Sequence, residues 1–137
     1  MKYSTITPSS INFLKNLDKN NNKDWFSANK KISLESQTNM TVFVDQLILL
    51  MNHHDVIENT SGKKSLYRIY NDIRFNTNKL PYKPRFAFSL QRATAQRRGG
   101  YYVNIKPGNT FLASGFFNPN PAEVKRIRKD IELNLAA

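Results

Sequence analysis

The sequence predicts an α+β fold, and three observations carry that prediction. Apolar residues recur at helical spacing before residue 52, two-residue alternation dominates 68–117, and a strongly capped helix closes the chain. The expected architecture is two N-terminal helices, a small antiparallel sheet of three to four strands and a C-terminal helix, in a single domain over residues 1–137. A chain of this length buries roughly two thirds of its unfolded surface, so one core is expected. Hydrophobic residues make up 39% of the chain and sixteen side chains are aromatic, too many for a disordered polycation.

The elements follow in order. Thr7 is a candidate N-cap with Pro8 at the first helical position, and Ile11, Phe13, Leu14 and Leu17 form an apolar stripe that ends near Lys19. The run Asn20, Asn21 and Asn22 breaks the chain and can cap the next helix, with Asp24 in its first turn. From Trp25, the residues Ile32, Met40, Phe43, Leu47 and Leu50 predict one long helix to about Asn52, weakened by the polar stretch 33–39. Residues 57–64 read as a loop with Gly62 near its tip.

Strand signals begin at residue 68. Over 68–75, Ile69, Ile73 and Phe75 alternate with Arg68, Tyr70, Asp72 and Arg74. The same alternation is shown by Phe86, Phe88 and Leu90, and again by Tyr101, Val103 and Ile105. Gly99 and Gly100 suit a hairpin turn, and Pro107-Gly108 suits the centre of a type II turn leading into a strand over 110–117. Asn120, Pro121 and Glu123 make a capping-box signature, after which Val124, Ile127, Ile131 and Leu135 should be the buried stripe of the last helix.

Charge is distributed unevenly. Residues 63–106 hold eleven of the 21 Lys and Arg but only one of the ten acids, Asp72, so this third of the chain carries a formal +10 against +1 elsewhere. A local field of that kind favours an anionic ligand. Catalytic groups are few. The two imidazoles, His53 and His54, point about 100° apart on a helix end and are poorly placed to share a metal. With no cysteine, disulfides, thiolate nucleophiles and zinc ribbons are excluded. No G-x-S-x-G turn, phosphate loop or dinucleotide fingerprint occurs. The strand-like run around Gly100, Tyr101 and Tyr102 fits an RNA-recognition motif badly, because glycine stands where an aromatic is needed.

The candidate ligand-binding residues are Arg68, Tyr70, Asp72, Arg74, Lys79, Tyr82 and Lys83. They combine forked guanidiniums, ammoniums and phenols between the rigid residues Pro81 and Pro84, which suits a phosphate-containing ligand or a nucleic-acid backbone. The bland reading is a solvated basic hairpin whose aromatics belong to the core. Asp72 is the single catalytic candidate, as a base or metal ligand of an enzyme acting on a phosphorylated or carboxylated small molecule. Its cationic neighbours should keep it ionised and make it a poor general acid. An adaptor for an acidic protein is a third reading. No cofactor or metal centre is expected. Without an apolar leader or membrane span, a soluble cytoplasmic protein is the default expectation.

These residues resemble a known family, the uncharacterised proteins catalogued as domain of unknown function 2461. The resemblance rests on Phe13, Leu14 and Leu17, the Asn-rich break, Trp25-Phe26, the string from Arg68 through Asp72 to Phe75, Lys79 with Pro81-Tyr82-Lys83, Gly100-Tyr101-Tyr102, Gly115 and Pro121. It covers about residues 8–133. It implies no established activity, cofactor or substrate, and so no catalytic assignment. Asn71 stands where the family usually has Arg, Asn78 where it has Asp, and 32–34 lack its usual Tyr. Members usually run on for several tens of residues more, so the resemblance implies a fragment or a shortened member.

Overall fold

The computed structural model describes residues 3–74, 79–93, 99–116 and 119–135. Their arrangement is α+β: α1 (Pro8–Lys19), α2 (Lys23–Ala28), α3 (Lys30–Met51) and α4 (Gly62–Ser65), then β1 (Phe86–Gln91), β2 (Gly100–Ile105) and β3 (Phe111–Gly115), then α5 (Pro121–Asn134). The strands form an antiparallel sheet in the order β1-β2-β3.

Local chemistry accounts for the helix ends. Thr7 caps α1 through its side chain, Asn22 caps α2 by accepting from the Trp25 N–H, and Asn120 with Glu123 closes a capping box on α5. The long helix expected from Trp25 is divided at Asn29. That residue leaves helical geometry, and its side-chain amide donates to the Trp25 carbonyl at 2.8 Å, a local bond that competes with the backbone ladder.

The buried stripe of α3 also differs from the expected one. Ser33, Ser36, Met40, Val44 and Ile48 face inward, Phe43 and Leu47 flank them, and Ile32 is exposed. Serines have little side chain to bury, so a hydropathy count misses them at an interface. Helix α3 lies against α1, where Ser10 is buried too and donates to Asn39 Oδ1 at 2.9 Å. Asn39 also accepts from the Thr7 N–H at 3.0 Å and so holds the start of α1.

One face of the sheet packs on these helices. Phe86, Phe88 and Leu90 of β1 lie opposite Ile105, Val103 and Tyr101 of β2, and this apolar set joins Phe13, Leu14, Leu17, Met40 and Val44 in a single cluster. Lys106 to Asn109 form the expected turn, with Gly108 at φ 82° and the Asn109 N–H bonded to the Lys106 carbonyl. The strand expected over 110–117 is therefore present as β3, shorter than expected; Phe117 lies outside the described residues.

Three further expectations are corrected. Residues 57–64 are not a plain loop: Gly62 is buried at the start of α4, where an added Cβ would lie 2.4 Å from the Thr41 carbonyl oxygen. Glycine is required there by the close approach of two backbones. Residues 68–74 keep the predicted alternation of exposure but form no regular strand, only a bridge between Tyr70 and Tyr82. The partner segment contains Pro81 and Pro84, which have no N–H to extend a ladder. Phe75, the end of that expected strand, lies outside the described residues. Finally, α5 buries no residue. Its stripe of Ile127, Ile131 and Leu135 is exposed, as is Leu112 of β3, at 69%. The amphipathic pattern is real, but nothing among the described residues covers it.

Candidate functional site

The segment 66–74 runs beside β1 and then turns into a short hairpin. Leu66 bridges Phe88, and the Tyr67 N–H donates to the Ala87 carbonyl at 2.9 Å. Farther on, the Lys83 N–H donates to the Ile69 carbonyl at 2.7 Å and the Asn71 N–H to the Pro81 carbonyl at 3.0 Å. Asn71 adds a side-chain bond to the Leu80 carbonyl. The Asn-rich break completes the support: Asn21 donates to the Tyr82 carbonyl at 2.8 Å and accepts from its N–H at 3.1 Å, so one carboxamide takes the place of a neighbouring strand.

Aromatic stacking fixes the hairpin to α2. Tyr82 is buried with its ring 4.1 Å from that of Phe26 and nearly parallel, and Tyr70 meets both rings at 5.8 and 5.6 Å. Tyr82 therefore serves the core, while Tyr70 is half exposed. Burial raises the pKa of the Tyr82 phenol, with Tyr70 nearby as a second cause.

The remaining predicted residues divide. Asp72 accepts from Arg74 through Nε at 3.1 Å, Nη2 at 3.0 Å and the backbone N–H at 3.1 Å. The pair is open to solvent, with the side chains 77% and 51% exposed for Arg74 and Asp72. Those hydrogen bonds hold the Asp72 carboxyl below its ordinary range, and the charges of Lys79 and Arg68 push it the same way. Arg68, Asp72, Arg74 and Lys79 thus belong to one exposed electrostatic group. Lys83 is half-buried and is not among the charges that perturb Asp72. Arg97 and Arg98 lie outside the described residues.

A second carboxylate proved more deeply embedded than Asp72. Asp55 follows α3, its side chain is 9% exposed, and it accepts from Arg92 Nε at 3.0 and 3.2 Å, Tyr101 Oη at 2.9 Å and the Val56 N–H at 2.8 Å. The Val56 bond is the main cause of its lowered pKa, followed by Tyr101; the same Tyr101–Asp55 bond raises the phenol. Sequence separations of 37 and 46 residues hide this cluster from local pattern reading. Close by, an open cleft of about 310 Å³ is lined by Glu58, Asn59, Lys64, Tyr67, Ser89 and Gln91, among others. A smaller one, about 140 Å³, brings Lys15 and Lys19 of α1 to Lys106, with Asp18 and Pro84. It adds cations from outside the basic segment.

Among the described residues no three His, Asp or Glu side chains are grouped to hold a metal, and no helix is long and apolar enough to cross a membrane. Residues 9–137 match the family model described as conserved hypothetical protein (DUF2461). The chain belongs to the DUF2461 family. No curated protein and no solved structure matches it. Within this DUF2461 chain, the Arg68–Asp72–Arg74 string lies on an exposed hairpin, and the Tyr of its second string, Tyr82, anchors that hairpin to α2.

Proposed function

We propose that this protein binds phosphate-containing anions, nucleic acid above all, through the exposed basic surface that includes Arg68, Arg74 and Lys79. The observation that carries this reading is the state of Asp72. Both of its oxygens accept from Arg74 on an open surface, an arrangement that orients a guanidinium and leaves no lone carboxylate in a dry pocket. A general base or acid at Asp72 would be served by a raised pKa and enclosure, whereas this carboxyl is lowered and open to solvent. Arg68 and Lys79 form no ion pair among the described residues, and the positive charge of each acts on Asp72. Exposed cations favour a polyanion that lies across the surface.

The test is a salt titration of binding to a labelled duplex. If about four to six phosphates are engaged, the logarithm of affinity falls against that of salt with a slope of roughly −4 to −5. Arg68→Ala should reduce that slope by about 1 without favouring any sequence. A flat salt response would falsify the proposal.

A further inference from the structure

The sheet has a second face, and its chemistry differs from that of the core face. Strand register decides which residues occupy it: Ser89 of β1 lies opposite Tyr102 of β2, Tyr102 opposite Ala113 of β3, and Phe111 opposite Asn104. Tyr67, hydrogen-bonded through its backbone beside Ala87, extends the row past β1. Three rings therefore cross the sheet in sequence, Tyr67 to Tyr102 at 6.2 Å and Tyr102 to Phe111 at 5.8 Å. Tyr67 is 49% exposed and Phe111 44%.

An exposed aromatic row on a soluble surface calls for an occupant. Its surroundings identify the kind. Arg85 reaches to 3.4 Å from the Tyr102 hydroxyl. At the Tyr67 end the row opens into the polar cleft, where the Tyr67 and Ser89 hydroxyls share a 2.8 Å hydrogen bond. One of those two hydroxyls donates to the other, which leaves a donor for a further group. Aromatic faces beside a guanidinium, with hydrogen-bonding groups at one end, match the unpaired bases and backbone of a single strand. A duplex keeps its base faces stacked inside and cannot use the rings. An acidic protein matches the cations but has few planar rings to lay on the row.

We infer that the outer face of the sheet is a stacking platform for single-stranded nucleic acid, with Tyr67, Tyr102 and Phe111 receiving bases while Arg85 contacts phosphate. This inference rests on the anion-binding reading and specifies the form of the ligand. The experiment compares a labelled oligothymidylate with a duplex of equal length at one low salt concentration, by fluorescence anisotropy. The single strand should bind more tightly than the duplex. Phe111→Ala and Phe111→Leu should each weaken single-strand binding about tenfold, while duplex affinity and the salt slope stay as in the wild type. Circular dichroism and melting curves establish that each variant is folded.

If single strand and duplex bind alike, or if Phe111→Leu binds like the wild type, the stacking platform is wrong and the anion-binding reading survives. Salt-insensitive or absent binding of both overturns the two together. Competition by polyglutamate as strong as that by the oligonucleotide also overturns the inference, because it assigns the surface to acidic proteins.

Discussion

Asp55 and Asp72 each hold an arginine, and the two pairs sit in regions with opposite construction. Asp72 and Arg74 are two residues apart on an exposed hairpin, where both carboxylate oxygens of Asp72 accept from the Arg74 guanidinium. Asp55 joins the end of α3 to Arg92 beyond β1 and Tyr101 in β2, and its side chain is almost covered. The segment that Asp55 begins is pinned again at Gly62, whose N–H donates to Asp45 Oδ1 at 2.6 Å. The same ion-pair chemistry thus ties distant chain segments in one region and presents charge to solvent in the other. What separates them is how much folding each contact requires, and that separates the mutations expected to unfold the protein from those expected to change binding.

The largest effect should come from the pinned region. In Gly62→Ala the new methyl meets the backbone of α3, which cannot move aside as a side chain can, so a loss of about 1–3 kcal/mol is expected in urea unfolding. If the variant matches the wild type, α4 does not pack on α3 as described. Next in size is Asp55→Ala, which strips Arg92 and Tyr101 of their shared acceptor and should lower the melting temperature by several degrees. Asp72→Ala, measured beside it, should leave melting nearly unchanged, since open surface pairs add little. Equal falls for the two would erase the distinction between the regions.

Arg74→Ala sharpens the comparison from the other side. Its guanidinium bonds lie on the surface, so melting should hold steady while affinity for a labelled duplex falls a fewfold at low salt. A marked drop in melting temperature with unchanged binding would assign Arg74 to a structural network.

The contrast between regions also marks what could be read from the sequence. Alternation and capping are local, so the α1 start, the three strands, the Pro107-Gly108 turn and the α5 capping box were all legible. The Asp72 cluster was legible for the same reason, since its members are close in the chain. Contacts that depend on tertiary approach were not. Ser33 and Ser36 look like solvent residues but are buried in the fold, and Gly62 looks like a loop tip until α4 meets α3. Asp55 finds its partners Arg92 and Tyr101 at separations of 37 and 46 residues, beyond the reach of any periodic pattern. The apolar stripe of α5 failed in the opposite sense: the pattern was present, and no described surface covers it.

The smallest expected effect, and the most direct comparison of the two carboxylates, is their titration. Both are held below the ordinary value of 3.8. A depressed folded pKa means that ionisation stabilises the fold above pH 3.8 and that this contribution disappears as pH falls through the lower folded value. Melting temperature should therefore drop in that acidic window, and Asp55→Asn, already less stable at neutral pH, should lose less there. Salt then distinguishes the sites. Asp72 depends on exposed cations, Arg74 first and then Lys79 and Arg68, so in carboxyl-carbon NMR its midpoint should climb toward 3.8 as salt is raised. Asp55 depends chiefly on the Val56 N–H and the Tyr101 hydroxyl, neutral donors that ions in solution do not screen, so its midpoint should move less. If Asp55 moves as far as Asp72, its carboxylate is open to the solvent, and the region it begins is no more firmly anchored than the basic hairpin.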